Sequence, residues 1–354
     1  MLIYIDGGRT AFLTPLNIEH TVTNNLDKYL ASTVEKKVAV TFERFGCNYS
    51  VREYRNYLER ITTVSQASLA VFIFDSELHD SMALTSAYAP VTNVYWVTSG
   101  IINNINVKQI NNGDFFNRIC NIYKYQLPDK LDLLNPYQVK PYYFDALLGE
   151  TKPHRTLIYN NIKQNINDKV ISSYRPDMPS YTGNIYKHSS FILEPGTEIL
   201  AADGNTNALV KYFGIGVYLS HIIPLEVYNK TAYSIVAETN YDNEYSFFTE
   251  KIAKPIAAQR LFVVFSGQGF LRNLRSMGFC TFDGIIDESY DQVEDSDQRF
   301  DLAMEQVKWL CSQPQEHILA RIQPIVEHNK QVLMSSNFTQ DTLEKIANII
   351  YGNY

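Results

Sequence analysis

Four short apolar runs, separated by stretches long enough to hold helices, constrain this chain more than any other feature. Residues 2–5 read LIYI and lead into Asp6-Gly7-Gly8, a strand that delivers a turn at its carboxyl end. KVAVTF at 37–42 is a second strand, ASLAVFIF at 67–74 a third and VTNVYWVT at 91–98 a fourth. The unbroken apolar character of ASLAVFIF suits a strand buried on both faces, and the polar stretch over 51–63 reads as the helix before it. Strands alternating with helices imply βαβ units and a parallel sheet.

Around 127–152 the texture changes to loop and short helix, with Pro128, Pro136, Pro141 and Pro153 in quick succession, and the interdomain linker is expected there. A second alternating series follows. It has strands at 169–173, 232–237 and 261–265, and helices at 156–165, 251–258, 270–277 and 297–311. The expected architecture is α/β, with two Rossmann-like domains over 1–140 and 141–330 facing a central cleft. A C-terminal helix within 331–354 returns to the first domain. Ligands then belong at the carboxyl ends of the strands.

Composition narrows the class. Hydrophobic residues make up 45% and charged residues 19% of 354, which excludes disordered and collagen-like chains. No run approaches the roughly 18 apolar residues of a membrane span, and the first residues lack the basic and apolar regions of a secretory signal. Cys47, Cys120, Cys280 and Cys311 lie far apart, without the paired spacing of a zinc site or disulfide framework. A reducing, cytoplasmic setting without membrane partners is expected. The net charge of −7 hides segregation. From 137 to 188, Lys140, Lys152, Arg155, Lys163, Lys169, Arg175 and Lys187 outnumber the acids, whereas 283–305 carries nine acids and only Arg299.

The chemistry concentrates in 234–282. A strand, SIVAE, ends on Glu238; Thr249 then caps a helix whose first turn holds Glu250 and Lys251; a strand, RLFVVF, runs into Ser266-Gly267-Gln268-Gly269 and another helix. A helix N-terminus offers free N–H groups to phosphate, and a lysine adds charge. A carboxylate can accept both hydroxyls of a ribose.

This order, with LLGETKPHRTLIY at 147–159 and GFCTFDGIIDESYD at 278–291, resembles the donor domain of phage-type GT-B glycosyltransferases with fucosyltransferase-like C-terminal domains. The likeness covers about 144–300. It implies that a nucleotide-sugar donor, UDP-linked by preference and GDP-linked as the alternative, is held with Glu250 on the ribose and Lys251 and Arg155 on the phosphates. Glu238, Thr249 and Gly267 join this set as strand-end and turn residues. Two cations on the leaving diphosphate make a metal unnecessary, and Asp295-Ser296-Asp297 reads as a helix start with Asp297 as cap rather than a metal motif.

The remaining roles are more open. A carboxylate of the first domain would take the acceptor proton, with Asp75 and Asp6 the leading candidates and Glu77, His79 and Asp80 in the same loop as Asp75. No GxSxG or HExxH motif occurs. Tyrosines interleaved with the bases of 137–188 suggest nucleic-acid contact through Lys140, Lys152 and Lys187. The expected acceptor is the 5-hydroxymethyl group of a modified cytosine in double-stranded DNA. The alternatives are a glycan or protein acceptor, or a non-catalytic nucleotide- or DNA-binding module.

Overall fold

The computed structural model describes residues 1–6, 21–42, 51–74, 93–103, 108–149, 151–174, 192–201, 208–242 and 245–352. The chain forms two compact units: Met1–Asp114 with Glu244–Phe247 and Asn337–Tyr354, and Phe115–Asn243 with Phe248–Ser336.

The first unit is built on six strands in the order Thr21–Thr23, Leu2–Asp6, Lys37–Phe42, Ala70–Phe74, Val94–Thr98, Gln109–Asn111. Every neighbouring pair is parallel. The first strand in sequence is second in space and the later ones add outward from it, the order of a doubly wound sheet. Alternate residues make one buried layer, in which Ile3, Ile5, Val38, Val40, Ala70 and Phe72 pack with Ile346 and Ile350 of the helix Phe338–Tyr351. The strand expected at 67–74 starts only at Ala70. Ala67 and Ser68 still belong to the preceding helix end, bonding back to the Val64 and Ser65 carbonyls.

The second unit carries four parallel strands in the order Phe262–Phe265, Thr231–Ala237, Tyr142–Gly149, Val170–Tyr174. All seven residues of Thr231–Ala237 and all four of Phe262–Phe265 are buried, as in a strand covered on both faces; Thr231 and Ser234 are the polar residues of the first. The proline-rich linker expected over 127–152 is corrected here, because Tyr142–Gly149 is a central strand. The prolines flank structure instead of interrupting it: Pro128 opens a 3₁₀ helix and Pro153 opens the helix Pro153–Asn165, positions where a missing N–H costs nothing.

That helix carries the chain from Tyr142–Gly149 to Val170–Tyr174. A small antiparallel sheet of Thr197–Ala201, Leu209–Tyr212 and Ile215–Tyr218 follows. The chain then re-enters the parallel sheet on the other side of Tyr142–Gly149. The direction of winding therefore reverses between Tyr142–Gly149 and Thr231–Ala237, and the carboxyl ends of these two strands flank the position where such sheets bind ligands. The α/β class with parallel sheets is what the alternation of runs implied.

Candidate functional site

The carboxyl end of Thr231–Ala237 hands the chain to Glu238, whose side chain is completely buried. Burial pushes its carboxyl above the usual range, while Lys251 and the Thr249 hydroxyl oppose the shift. The carboxylate accepts the Thr249 hydroxyl at 2.6 Å and the amides of Thr249 and Thr239 at 3.3 Å each. Thr249 is the N-cap of the helix Glu250–Ala257, its Oγ1 accepting the Lys251 amide at 3.2 Å. The Thr249 hydroxyl has one hydrogen, which Glu238 takes; its lone pairs are thereby turned toward Lys251.

Lys251 Nζ donates to Glu250 Oε1 at 2.8 Å and to Thr249 Oγ1 at 3.3 Å. Its side chain is 25% exposed against 11% for Glu250, so Lys251 is the more exposed partner of the pair. Burial pushes the Glu250 carboxyl up, but the Lys251 and Lys254 ammoniums outweigh it and hold the group at about 2. Glu250 is therefore ionised at neutral pH. Lys254 escaped the sequence reading. Its signal was the i, i+4 spacing from Glu250 on a helix, and its ammonium also donates to the Ser220 carbonyl at 2.9 Å.

The other wall comes from the start of Pro153–Asn165. Arg155, His154 and Lys152 donate to three successive carbonyls, those of Ala237 at 3.4 Å, Glu238 at 3.0 Å and Thr239 at 3.0 Å. Burial and the neighbouring Arg155 hold His154 down at about 3, so it is neutral and donates through Nε2. Its ring stacks on Tyr241 at 4.8 Å, and the Arg299 guanidinium lies over the same Tyr241 ring at 5.1 Å. Arg299 also ties together the carbonyls of Tyr241, Ser266, Val293 and Glu294. The sequence assigns neither His154, inside LLGETKPHRTLIY, nor Arg299, the lone base of 283–305, a role in the site. Four cations, Lys152, Arg155, Lys251 and Lys254, thus gather with two carboxylates at the switch point of the sheet.

Other sequence expectations land elsewhere. Gly267 follows Phe262–Phe265 and is buried. The helix Phe270–Ser276 beyond it is closed by a carboxylate of the chain itself: Asp291 accepts the amides of Leu271 at 2.7 Å and Arg272 at 2.9 Å. The amides of Leu271 and Arg272 are therefore occupied by an internal cap. Lys140 is corrected too. It is only 7% exposed, its backbone is held at both ends by the Gln315 amide group, and burial followed by the nearby Arg260 lowers its ammonium pKa. It precedes Tyr142–Gly149 whereas Lys152 follows it, which sets the two lysines at opposite ends of a strand rising about 3.3 Å per residue.

Lys187 and Asp75 lie outside the described residues, as do Glu77, His79 and Asp80. Asp6 is the last residue of Leu2–Asp6, paired in register with Thr41 at the switch point of the first sheet. In the acidic segment Asp295, not Asp297, is the N-cap of Ser296–Leu310. Glu288 binds Thr281, the Phe282 amide and Arg275. Among the described residues no group of three or more His, Cys, Asp or Glu is placed to hold a metal, and no helix is long and apolar enough to cross a membrane. Comparison of the chain with protein-family models, with curated proteins and with solved structures found no match.

Proposed function

We propose that the second unit holds a nucleoside-diphosphate sugar at the end of Thr231–Ala237 and that the protein transfers the sugar to a hydroxyl acceptor. The observation that carries this reading is that Lys251 and Lys254 hold Glu250 ionised while Lys152 and Arg155 bind the Thr239 and Ala237 carbonyls, all at the carboxyl end of Thr231–Ala237 and the switch point of a doubly wound sheet. Lys251 has three N–H groups and, among the described residues, two partners, which leaves a donor for phosphate. Glu250, an anion at neutral pH, accepts the hydroxyls of a ribose. Two doubly wound units are also the parts from which the GT-B arrangement is made, with the first unit serving the acceptor.

In transfer the acceptor oxygen attacks the anomeric carbon and the bond from that carbon to the diphosphate oxygen breaks. The electron pair stays on the departing diphosphate, and the acceptor proton passes to a carboxylate of the first unit, Asp6 or Asp75. Lys251 and the field of Arg155 stabilise the charge that grows on the leaving oxygen. His154, neutral, holds the strand-end backbone and moves no proton. Lys140 and Lys152 lie at opposite ends of Tyr142–Gly149, so the hydroxyl acceptor is taken more broadly than hydroxymethylcytosine.

Calorimetry with UDP and GDP tests the donor half. Wild type should bind one of them, and Lys251→Ala and Glu250→Ala should each weaken it by about ten- to a hundredfold, the loss of a charged hydrogen bond. Failure of the wild type to bind either nucleotide would remove the reading. Release of nucleoside diphosphate on adding hydroxymethylated duplex DNA, a glycan or neither then sorts the acceptors.

A further inference from the structure

Of the two carboxylates at the end of Thr231–Ala237, Glu250 is ion-paired with Lys251 at 2.8 Å, whereas Glu238 forms no ion pair among the described residues. Glu238 is fully buried. Its oxygens meet three neutral donors, the Thr249 hydroxyl at 2.6 Å and the amides of Thr249 and Thr239 at 3.3 Å each. Lys251 reaches it only through Thr249 Oγ1, which lies 3.3 Å from Nζ. Glu238 Oε2 is therefore no more than about 6 Å from the ammonium, whose field favours its charge.

An anion at Lys251 upsets this balance. Taking the remaining N–H at about 2.8 Å, it brings a like charge no more than about 9 Å from Glu238. At an effective dielectric constant of about 20, two unit charges so placed repel enough to change an affinity about twentyfold. The opposing effect is smaller. The Glu238 carboxylate turns the Thr249 lone pairs toward Lys251, a hydrogen bond worth about fivefold, and a protonated carboxyl keeps one oxygen free to accept that hydroxyl.

The other groups around Glu238 are already committed. On Glu250–Ala257, Glu250 is held ionised at about 2 and Lys254 donates to the Ser220 carbonyl. At the start of Pro153–Asn165, His154 is held neutral down to about 3, and Lys152 and Arg155 bind the Thr239 and Ala237 carbonyls. Arg299 binds the Tyr241 and Ser266 carbonyls, and Asp145 on the neighbouring strand is closed by Arg260. Burial already pushes the Glu238 carboxyl above the usual range. Lys254, whose ammonium burial lowers, is the other group able to exchange a proton.

We infer that Glu238 takes up a proton from solvent when an anion binds at Lys251, so that the site holds a diphosphate more tightly as pH falls. The inference rests on the donor reading above and adds a proton to it. The linkage is reciprocal: the proton favours the anion by the factor by which the anion favours the proton.

Calorimetry with UDP-glucose and GDP-mannose from about pH 5 to 8, in buffers of different ionisation enthalpy, counts the protons. Both phosphates of these probes are esterified, so the probes themselves take up none near neutrality. Wild type should take up as much as about one proton per ligand and bind up to about twentyfold more tightly at the acid end. Glu238→Gln, which keeps an oxygen for Thr249, should take up none, and at pH 8 it should bind about twentyfold more tightly than wild type. Lys254→Met should keep the uptake, and it decides the assignment if Glu238→Gln does not fold. Binding without uptake in wild type, uptake that survives Glu238→Gln or vanishes in Lys254→Met, or weaker binding by Glu238→Gln overturns the inference alone. A wild type that binds neither probe removes the donor reading, and the inference falls with it.

Discussion

Midway along Thr231–Ala237 a buried arginine meets a buried aspartate; at the carboxyl end of the same strand a lysine meets two glutamates. The two clusters look alike in composition and differ in closure. Arg260 shares its five N–H groups among six acceptors: Ser234 Oγ, the Tyr228, Thr231 and Tyr233 carbonyls, Thr231 Oγ1 and Asp145 Oδ1, the last at 2.8 Å. Both side chains of that pair are 4% exposed, and Ser234 completes the aspartate at 2.8 Å. At the strand end the cations outnumber the carboxylates and the Lys251 side chain is partly exposed. A cluster that satisfies itself is architecture, whereas one left with excess charge at a ligand-binding edge has room for an anion.

The sharpest way to break this contrast is Arg260→Met. Leaving Asp145 buried without its partner should cost about 3–5 kcal/mol of stability, measured by urea unfolding. A folded, equally stable variant that had instead lost nucleotide binding would reverse the assignment of the two clusters.

His154 supplies a second test through pH. Its pKa falls from 6.5 to about 3 on folding, so between those values the unfolded chain takes up a proton that the folded chain refuses. This contribution to stability is complete above pH 6.5 and drains away as pH falls toward 3, with a slope of up to about 1.4 kcal/mol per pH unit. His154→Phe keeps a ring against Tyr241 and should lack this slope. Unfolding curves of variant and wild type that run parallel from pH 6.5 to 4 would show that His154 is not held neutral.

The smallest effect is expected from Lys251→Ala on stability. The pair with Glu250 is partly exposed, and its removal should change unfolding free energy by no more than about 1 kcal/mol, in a variant whose nucleotide affinity has dropped tenfold or more. A stability loss as large as that of Arg260→Met would place Lys251 in the architecture and close the contrast.

Local patterns carried much of this protein. LIYI, KVAVTF and AVFIF declared parallel strands because burial on both faces leaves no polar alternation to hide them, and Thr249-Glu250 declared a helix start because a capping hydroxyl accepts a helix-end amide and an acid in the first turn suits the positive end of the helix dipole. The three-residue strands Thr21–Thr23, Gly100–Ile102 and Gln109–Asn111 are too short to show a period. Tyr142–Gly149 hid among prolines that turned out to mark its borders.

Tertiary structure alone decided the rest. Whether a helix end is open to phosphate depends on what packs against it; Asp291, twenty residues away from Leu271, closes one, and no spacing rule announces that. Burial turned Lys140 inward, where its charge is a cost and not a lure for DNA. It also set Glu238 against Thr249 and paired Tyr245–Phe247 with Gly100–Ile102 in a two-stranded sheet. Propensity and capping act over a few residues, and the sequence displays them directly. Solvation and charge pairing depend on which distant segments meet, so only the folded chain assigns them.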